Sequence, residues 1–334
     1  MKSRVLLLAL AMFAPGAAVS APVATPLEPR ISLIASRVAV DPAGGAAAVI
    51  YPAGGAVRLQ LSSGAPETVP TGRGALVDGL VLANGQVTVL AQERIGCSEL
   101  FTAVRDAGGV WTRTPLGLQG SAATIAGDQT GTPTIAARAC DGSIQVTTRK
   151  DPATWTPFEV VPGLSSSGGS RISLAAAGNA LLVGVTGDLA AIVRRDIATW
   201  TPIALPKSLK KDESVSAISV AFDSLLRPVV FTTKGPKTRT AASITDRKLV
   251  QRTVNRFDGA AWSSVSAVPD PVGLIGSGYG FGVLDRSGSV SVEITTTSAP
   301  TLVAIHAARV AIGANGTIAQ VIAGAKNAVL QLGV

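Results

Sequence analysis

Positive charge is concentrated in one segment of this 334-residue chain, residues 207–256. The segment holds eleven basic and four acidic residues, a net charge of +7, while the whole chain carries +8. A clustered positive field attracts anions and speeds their association. The cations that we expect on one loop face are Lys207, Lys210, Lys211, Lys234, Lys237, Arg239, Arg247 and Lys248.

The chemistry of this surface indicates a class of partner. We expect an anionic polysaccharide, another cell-envelope polymer such as teichoic acid or lipopolysaccharide, or an acidic protein face. Nucleic acid is not expected, because aromatic residues are not interleaved with the cations as base stacking requires. The competing interpretation is a solvated insertion that only keeps the chain soluble.

Groups that could catalyse a reaction are scarce. The one histidine, His306, lies in an apolar run, and no motif pairs it with a carboxylate or nucleophile, so we expect a structural role. The two tyrosines are Tyr51 and Tyr279. No glycine-rich phosphate loop or serine-nucleophile elbow is present. We therefore assign no catalytic residue and no cofactor.

Metal binding is also weakly indicated. Asp41, Asp223 and Asp285 follow predicted strands and could supply oxygen ligands to calcium. Aspartate after a strand more often accepts hydrogen bonds from its own turn, so we expect turn roles and no metal site.

The two cysteines, Cys97 and Cys140, occupy matching places in successive repeats. Each precedes a repeat tryptophan, Cys97 by 14 residues from Trp111 and Cys140 by 15 from Trp155. An even cysteine count in an exported chain favours a disulfide, here one that joins neighbouring repeats. Two buried free thiols are the alternative.

The N-terminus has the pattern of a secretory signal peptide. Lys2 and Arg4 precede the apolar run 5–14, and the small residues 19–21 predict cleavage after Ala21. No later stretch reaches the length of a membrane-spanning helix. We expect residues 1–21 to be removed and residues 22–334 to form one exported domain, periplasmic or extracellular.

Four tryptophans mark a repeat, and they indicate the elements that must position any site. Three are 44 and 45 residues apart, and the fourth follows after 62: Trp111, Trp155, Trp200 and Trp262. A period in the forties that contains several short strands is typical of a β-propeller blade. Pro115, Pro157 and Pro202 follow three of the tryptophans, and proline is confined to edge strands, as in the outermost strand of a blade.

The repeats predict an all-β propeller of about seven four-stranded blades, with six as the alternative. The expected blades are 31–70, 71–118, 119–164, 168–208, 213–269, 271–306 and 307–334. The last has room for three strands, and the segment 25–29 resembles the fourth strands of other blades. We expect this N-terminal strand to complete the last blade and close the ring.

The segment Asp106-Ala107-Gly108-Gly109-Val110-Trp111 resembles the Asp-box of sialidase-like bacterial propellers. The turns before the other three tryptophans are similar but one residue shorter. The resemblance implies a propeller in which this turn is structural and remote from the active face, so the tryptophans are blade-packing residues. A sialidase-type mechanism would also require an arginine cluster for a carboxylate, a tyrosine nucleophile with a glutamate, and an acid/base aspartate. We therefore expect a non-catalytic binding or scaffold module, and a sialidase-like glycosidase or polysaccharide lyase is the alternative.

Overall fold

The computed structural model is all-β, and its described residues contain no helix. The structure describes residues 23–28, 32, 35–41, 45–82, 85–128, 130–151, 154–166, 170–187, 190–206, 212–236, 251–265, 271–276, 281–285, 289–293, 301–304, 307–312, 317–322 and 329–332. Within these ranges, no helix is long and apolar enough to cross a membrane.

The strands of the first half are mostly six or seven residues long, and one is much longer. They are β1 (Val23–Pro26), β2 (Arg37–Val40), β3 (Ala47–Ala53), β4 (Ala56–Leu61), β5 (Glu67–Val69), β6 (Ala75–Val81), β7 (Val87–Gln92), β8 (Ser98–Arg105), β9 (Trp111–Gly127), β10 (Pro133–Ala139), β11 (Ser143–Thr148) and β12 (Glu159–Ser165).

The second half continues the pattern of short antiparallel strands. They are β13 (Ile172–Ala177), β14 (Ala180–Val185), β15 (Ala191–Asp196), β16 (Thr199–Ile203), β17 (Glu213–Phe222), β18 (Pro228–Pro236), β19 (Gln251–Phe257), β20 (Trp262–Ser264), β21 (Pro271–Gly276), β22 (Phe281–Asp285), β23 (Ser289–Glu293), β24 (Thr301–Ala304), β25 (Ala307–Ile312), β26 (Ile318–Ile322) and β27 (Val329–Leu332).

These strands form groups of four that follow one another along the chain, which we call units. Units 1, 4, 5 and 6 are separate sheets: β2–β5, β13–β16, β17–β20 and β21–β24. Units 2 and 3 share one seven-stranded sheet, β6–β12, in which β9 serves both. Unit 7 is β25–β27 with the N-terminal strand β1 at its edge. The unit boundaries agree with the predicted repeats.

The long strand β9 joins two units without a break. Its residues up to Gly120 pair with β8, and its residues from Gly120 onward pair with β10. A side chain at Gly120 would lie 2.8 Å from Leu100 Cδ1 and 3.1 Å from the carbonyl oxygen of Arg138. Only glycine therefore lets the backbone pass this closely between the two units.

The units pack against each other through shared apolar cores. One core combines Ile50 and Leu59 of unit 1 with Val87 and Ala103 of unit 2. Equivalent clusters join units 2 and 3, 3 and 4, 4 and 5, 5 and 6, and 7 and 1. Burial of these β-branched faces supplies the main drive for neighbouring sheets to associate.

The first strands of the units contact one another in cyclic order. The strand β2 contacts β6, which contacts β9, and the series continues through β13, β17 and β21 to β25, which contacts β2. At the edge of unit 7, Val23 of β1 pairs with Leu332 of β27 in antiparallel register.

Candidate functional site

The predicted cationic surface lies largely outside the described residues. Lys207, Lys210, Lys211, Lys237, Arg239, Arg247 and Lys248 are all in undescribed segments. The one described member, Lys234 on β18, places its Nζ atom 2.7 Å from Glu213 Oε2, and its side chain is 12 % exposed. Its charge is therefore compensated within unit 5, and the surface as a whole stays a prediction.

Asp223 forms ion pairs with two further cations of this segment. Its Oδ2 atom lies 2.8 Å from Arg227 Nε and 2.9 Å from Arg256 Nε, and the aspartate side chain is buried. Its Oδ1 atom accepts hydrogen bonds from the backbone amides of Leu225 and Arg227. The carboxylate thus closes its own turn, as the sequence predicted.

The other two calcium candidates are Asp41 and Asp285, and only the side chain of Asp41 is described. Asp41 Oδ2 accepts the Ala46 amide at 2.7 Å, which is again a turn contact. The side chain of Asp285 lies outside the described residues. In the described part of the chain, no group of three or more His, Cys, Asp or Glu side chains is placed to hold a metal ion.

A tyrosine does lie beside a glutamate and an arginine. The Tyr51 hydroxyl donates to Glu28 Oε2 at 3.0 Å, and Arg58 Nη2 donates to Glu28 Oε1 at 2.9 Å. Cross-strand pairing of β3 with β4 places Tyr51 opposite Arg58, and the chain leaving β1 brings Glu28 to them. Tyr279 and His306 lie outside the described residues.

The electrostatics of this cluster suit a structural contact. Tyr51 is fully buried, and burial, followed by the neighbouring Glu28 carboxylate, raises the pKa of its hydroxyl. The hydrogen bond from Arg58 lowers the pKa of Glu28. A nucleophilic tyrosine needs the opposite, an accessible oxygen and a base able to take its proton. This tyrosine therefore cannot act on a substrate in the described conformation.

The repeat tryptophans pack between units, as predicted. Three of them donate their indole N–H to the last strand of the preceding unit or to the residue that follows it. Trp111 donates to Glu67 Oε2 at 3.3 Å, and Trp200 donates to Glu159 Oε1. Trp262 donates to the carbonyl oxygen of Ala204 at 2.8 Å.

Unit 3 departs from this pattern. The residue in register with Glu67 and Glu159 is Thr114, opposite Thr102 on β8. The Nε1 atom of Trp155 is buried and has no hydrogen-bond partner among the described residues. An indole N–H normally finds an acceptor when it is buried, so unit 3 lacks the polar contact that the other three units make.

Two of these contacts are completed by an arginine. Arg105 donates to both Glu67 oxygens, through Nε at 2.8 Å and Nη2 at 2.7 Å. Arg195 Nη1 donates to Glu159 Oε2 at 2.7 Å. The Glu–Arg–Trp clusters were not predicted from the sequence. The sequence feature that could have indicated these clusters is the pair of glutamates at matching places in the fourth strands of units 1 and 3.

The predicted disulfide is confirmed. Cys97 and Cys140 are bonded, with 5.7 Å between their Cα atoms. Cys97 lies in the loop between β7 and β8, and Cys140 lies in the loop between β10 and β11. The bond therefore joins units 2 and 3 on the face that carries the loops between second and third strands.

A central cavity of about 240 Å³ lies among the first strands. Residues of all seven units contribute apolar side chains to its wall: Val38, Leu80, Ala126, Ala175, Val220, Ile275 and Val310. Asp78 also lines it. The Asp78 Oδ2 atom accepts the Thr124 hydroxyl at 2.8 Å and the Ile125 amide at 3.1 Å.

Asp78 is held in place by its neighbours. Arg37 Nε is 3.7 Å from Asp78 Oδ1, and the Gly79 amide donates to the same oxygen at 2.9 Å. Burial raises the pKa of the carboxyl, although Arg37 and the three hydrogen bonds act against that change. The contacts join units 1, 2 and 3 at the mouth of the cavity, so Asp78 has a clear role in holding the first strands together.

Two grooves flank the outer part of unit 3. One, of about 490 Å³, lies between units 2 and 3 and is lined by Thr114, Gln145 and Trp155. The other, of about 510 Å³, lies between units 3 and 4 and carries a row of threonines with Glu159 and Arg195. Neither groove belongs to the predicted cationic segment.

Comparison with known proteins identifies the fold. No family model matches the chain, and no curated protein sequence matches it. The β-propeller domain of the Trilobed protease from Pyrococcus furiosus, described as having an open velcro topology, is similar with a TM-score of 0.57 and 8 % identity, over 91 % of this chain and 95 % of that chain.

Two further solved structures are also similar. YCF48 bound to D1 peptide has a TM-score of 0.51 and 10 % identity, over 93 % of this chain and 96 % of that chain. The six-bladed fungal lectin of Aleuria aurantia has a TM-score of 0.47 and 14 % identity, over 81 % of this chain and 96 % of that chain. The likeness to the protease propeller and to YCF48 carries the fold alone, and the chain has the architecture of a β-propeller.

Proposed function

We propose that this chain is an exported, non-catalytic binding module built as a seven-bladed propeller. Each four-strand unit would be one blade, and β1 would close the ring against β27. The cyclic contacts of the seven first strands support this count. The Cys97–Cys140 disulfide supports an oxidising compartment, outside the cytoplasm.

The burial of Tyr51 is the observation that favours a binding function over catalysis. A sialidase-like mechanism would use a tyrosine and a glutamate side by side. The chain contains that pair, but Tyr51 is fully buried and its hydroxyl is donated to a glutamate already paired with Arg58. The pair stabilises the junction of units 7 and 1, and no substrate can reach it.

The partner that we propose is an anionic polymer or an acidic protein face. The support is the charge of +7 in residues 207–256, almost all of the net charge of the chain. Long-range attraction of this kind is screened by salt, so binding should weaken as ionic strength rises.

Retention on immobilised polygalacturonate tests the partner. In the variant Lys237→Gln, Arg239→Gln, Lys248→Gln, elution should shift to clearly lower salt. A matched control removes three exposed cations elsewhere, Arg73→Gln, Lys150→Gln, Arg171→Gln. If both variants shift equally, retention depends only on the net charge of the protein. If the variant in residues 237–248 is retained as strongly as wild type, the cationic site is rejected.

A second assay separates binding from turnover. Purified protein is incubated with polygalacturonate and with sialylated oligosaccharides, and products are followed as new reducing ends, as free sialic acid and as absorbance of unsaturated ends. We expect no product. If product forms only when the protein is present, the chain is a glycan-active enzyme and the proposal of a non-catalytic binding module is wrong.

A further inference from the structure

The groove between units 3 and 4 is lined by hydroxyl groups. Five threonines contribute to it: Thr130, Thr132, Thr134, Thr148 and Thr156. Thr134 on β10 is paired with Thr148 on β11. Thr156 lies beside Thr148 in the segment that leads to β12. The other two lie in the turn after β9. Strand pairing therefore places a hydroxyl-bearing wall along one side of the groove.

These hydroxyls are ordered by contacts with one another. Thr134 Oγ1 is 3.1 Å from Thr148 Oγ1, and Thr130 Oγ1 is 3.0 Å from Thr132 Oγ1. Thr130 Oγ1 also donates to Asp128 Oδ1 at 2.7 Å, so the Thr130–Thr132 pair offers acceptor positions only. The Thr134–Thr148 pair, in which Thr134 is buried, keeps one O–H that is not donated within the pair. The wall can therefore accept hydrogen bonds at several hydroxyls and donate one at the Thr134–Thr148 pair.

One of the two carboxylates in the groove is paired with a cation, and the other is held by its own turn. Glu159 Oε2 receives Arg195 Nη1 at 2.7 Å, and its other oxygen receives the indole N–H of Trp200. Asp128 Oδ1 accepts the Thr130 and Thr132 amides, so this carboxylate is used by its turn. The groove therefore holds no excess of positive charge that would favour an anion.

The arginine of this groove, Arg195, makes fewer hydrogen bonds than its counterpart Arg105 in unit 2. Arg105 donates through Nε and Nη2 to Glu67 and through Nη1 to the carbonyl oxygen of Asp106. Arg195 donates to its glutamate through Nη1 alone, and its buried Nε has no hydrogen-bond partner among the described residues. A planar guanidinium, held in position over Trp200, therefore borders the groove.

We propose that the groove between units 3 and 4 binds a neutral saccharide. A sugar presents closely spaced hydroxyls that donate and accept, and the threonine wall and the amide of Asn179 on the opposite side complement them. A pocket for an acidic ligand would hold an excess of cations, and a pocket for a lipid would be apolar. The site is separate from the cationic segment and would add a second kind of ligand to the binding module.

Retention on beads carrying glucose, galactose, mannose or N-acetylglucosamine tests this site. The full chain should be retained on at least one neutral sugar and released by the same free sugar. Thr134→Val, Thr148→Val removes two hydroxyls at nearly constant volume and should weaken retention about tenfold. Asn179→Ala, an exposed change, should weaken it as well.

The matched control is Thr232→Val, Thr253→Val. These two hydroxyls form the same kind of cross-strand pair in unit 5, 3.2 Å apart, away from the groove. The control should retain wild-type binding, and thermal melting should show that both variants fold. Beads that carry glucuronate are included for comparison. Three results would overturn the proposal: no retention on any neutral bead, an equal loss in both variants, or retention only on the glucuronate beads.

The same variants distinguish this proposal from the cationic site. Thr134→Val, Thr148→Val should elute from polygalacturonate at the wild-type salt concentration, because it leaves residues 207–256 unchanged. Loss of both kinds of retention together would point to misfolding or to one shared surface, and either result counts against a separate saccharide site.

Discussion

At the scale of single residues, environment decides what a side chain can do. Tyr51 and Glu28 are the residue types of a glycosidase nucleophile, and they are hydrogen-bonded at 3.0 Å. Complete burial of the ring and the ion pair with Arg58 turn them into a structural contact. The sequence could supply the residue types, but not the burial that removes their reactivity.

The pH dependence of stability should show the carboxylates that are bound by arginine. A hydrogen bond from Arg105 lowers the pKa of Glu67 below its ordinary value of 4.5. Such a group contributes stability that is fully present above the unfolded pKa and is lost as pH falls through the folded pKa. We therefore expect the free energy of unfolding to fall below about pH 4.5.

Glu67→Gln should flatten that fall. Urea unfolding at pH 3.5, 4.5 and 7 measures it, and the difference between wild type and variant should be largest at pH 7. The control Glu93→Gln changes a carboxylate that is half-exposed, 3.5 Å from Arg113. A difference for Glu67→Gln that grows toward low pH would contradict the assignment.

The repeat tryptophans should differ in what their replacement costs. Trp200→Phe loses a hydrogen bond to a carboxylate as well as ring volume, whereas Trp155→Phe loses ring volume and relieves a buried N–H without an acceptor. We expect Trp200→Phe to be the more destabilising by about 1–2 kcal/mol. Chemical denaturation compares the two, and an equal cost would show that Trp155 Nε1 has a partner.

At the scale of elements, repeat spacing predicted most of the architecture. The tryptophans placed the fourth strands of units 2, 4 and 5, whereas Trp155 and Pro157 precede the fourth strand of unit 3. The predicted boundaries agree with the observed groups of strands. The spacing did not predict that β9 runs unbroken from Trp111 to Gly127. The predicted boundary between the second and third blades falls between residues 118 and 119, but the backbone stays extended there because both neighbouring units pair with it in turn.

The candidate site was less predictable than the fold. The Glu–Arg–Trp clusters and the groove between units 3 and 4 depend on side chains from different units, and no local pattern indicates which of them meet. Glu67 and Glu159 lie at equivalent places, yet Thr114 replaces them in unit 2. Only the registers of the paired strands show that these positions correspond.

The disulfide should contribute strongly to stability. Cys97 and Cys140 are 43 residues apart in the chain. Closing a loop of that length in the unfolded state is worth about 4 kcal/mol on the chain-entropy model. Cys97→Ser, Cys140→Ser should therefore lower the melting temperature by several degrees, and reductant should no longer change it. A melting temperature that reductant does not lower in the wild type would contradict this.

At the scale of the whole molecule, stability should depend on the N-terminal strand. Val23 to Pro26 pair with Val329 to Leu332, and Leu27 is buried in the core shared by units 7 and 1. A chain that begins at Leu27 should lose this edge strand and melt at a clearly lower temperature than a chain that begins at Val23. Similar melting of the two would show that the pairing contributes little.

The contact between β1 and β27 also determines when the chain can finish folding. Residues almost at opposite ends of the polypeptide must meet, and contacts so distant in sequence are slow to form. Interior units can assemble from local hairpins as they emerge, whereas unit 7 must wait for its last strand. Until then its edges stay open to other strands. A chain of this design therefore depends on being kept from aggregating until its last strand is available.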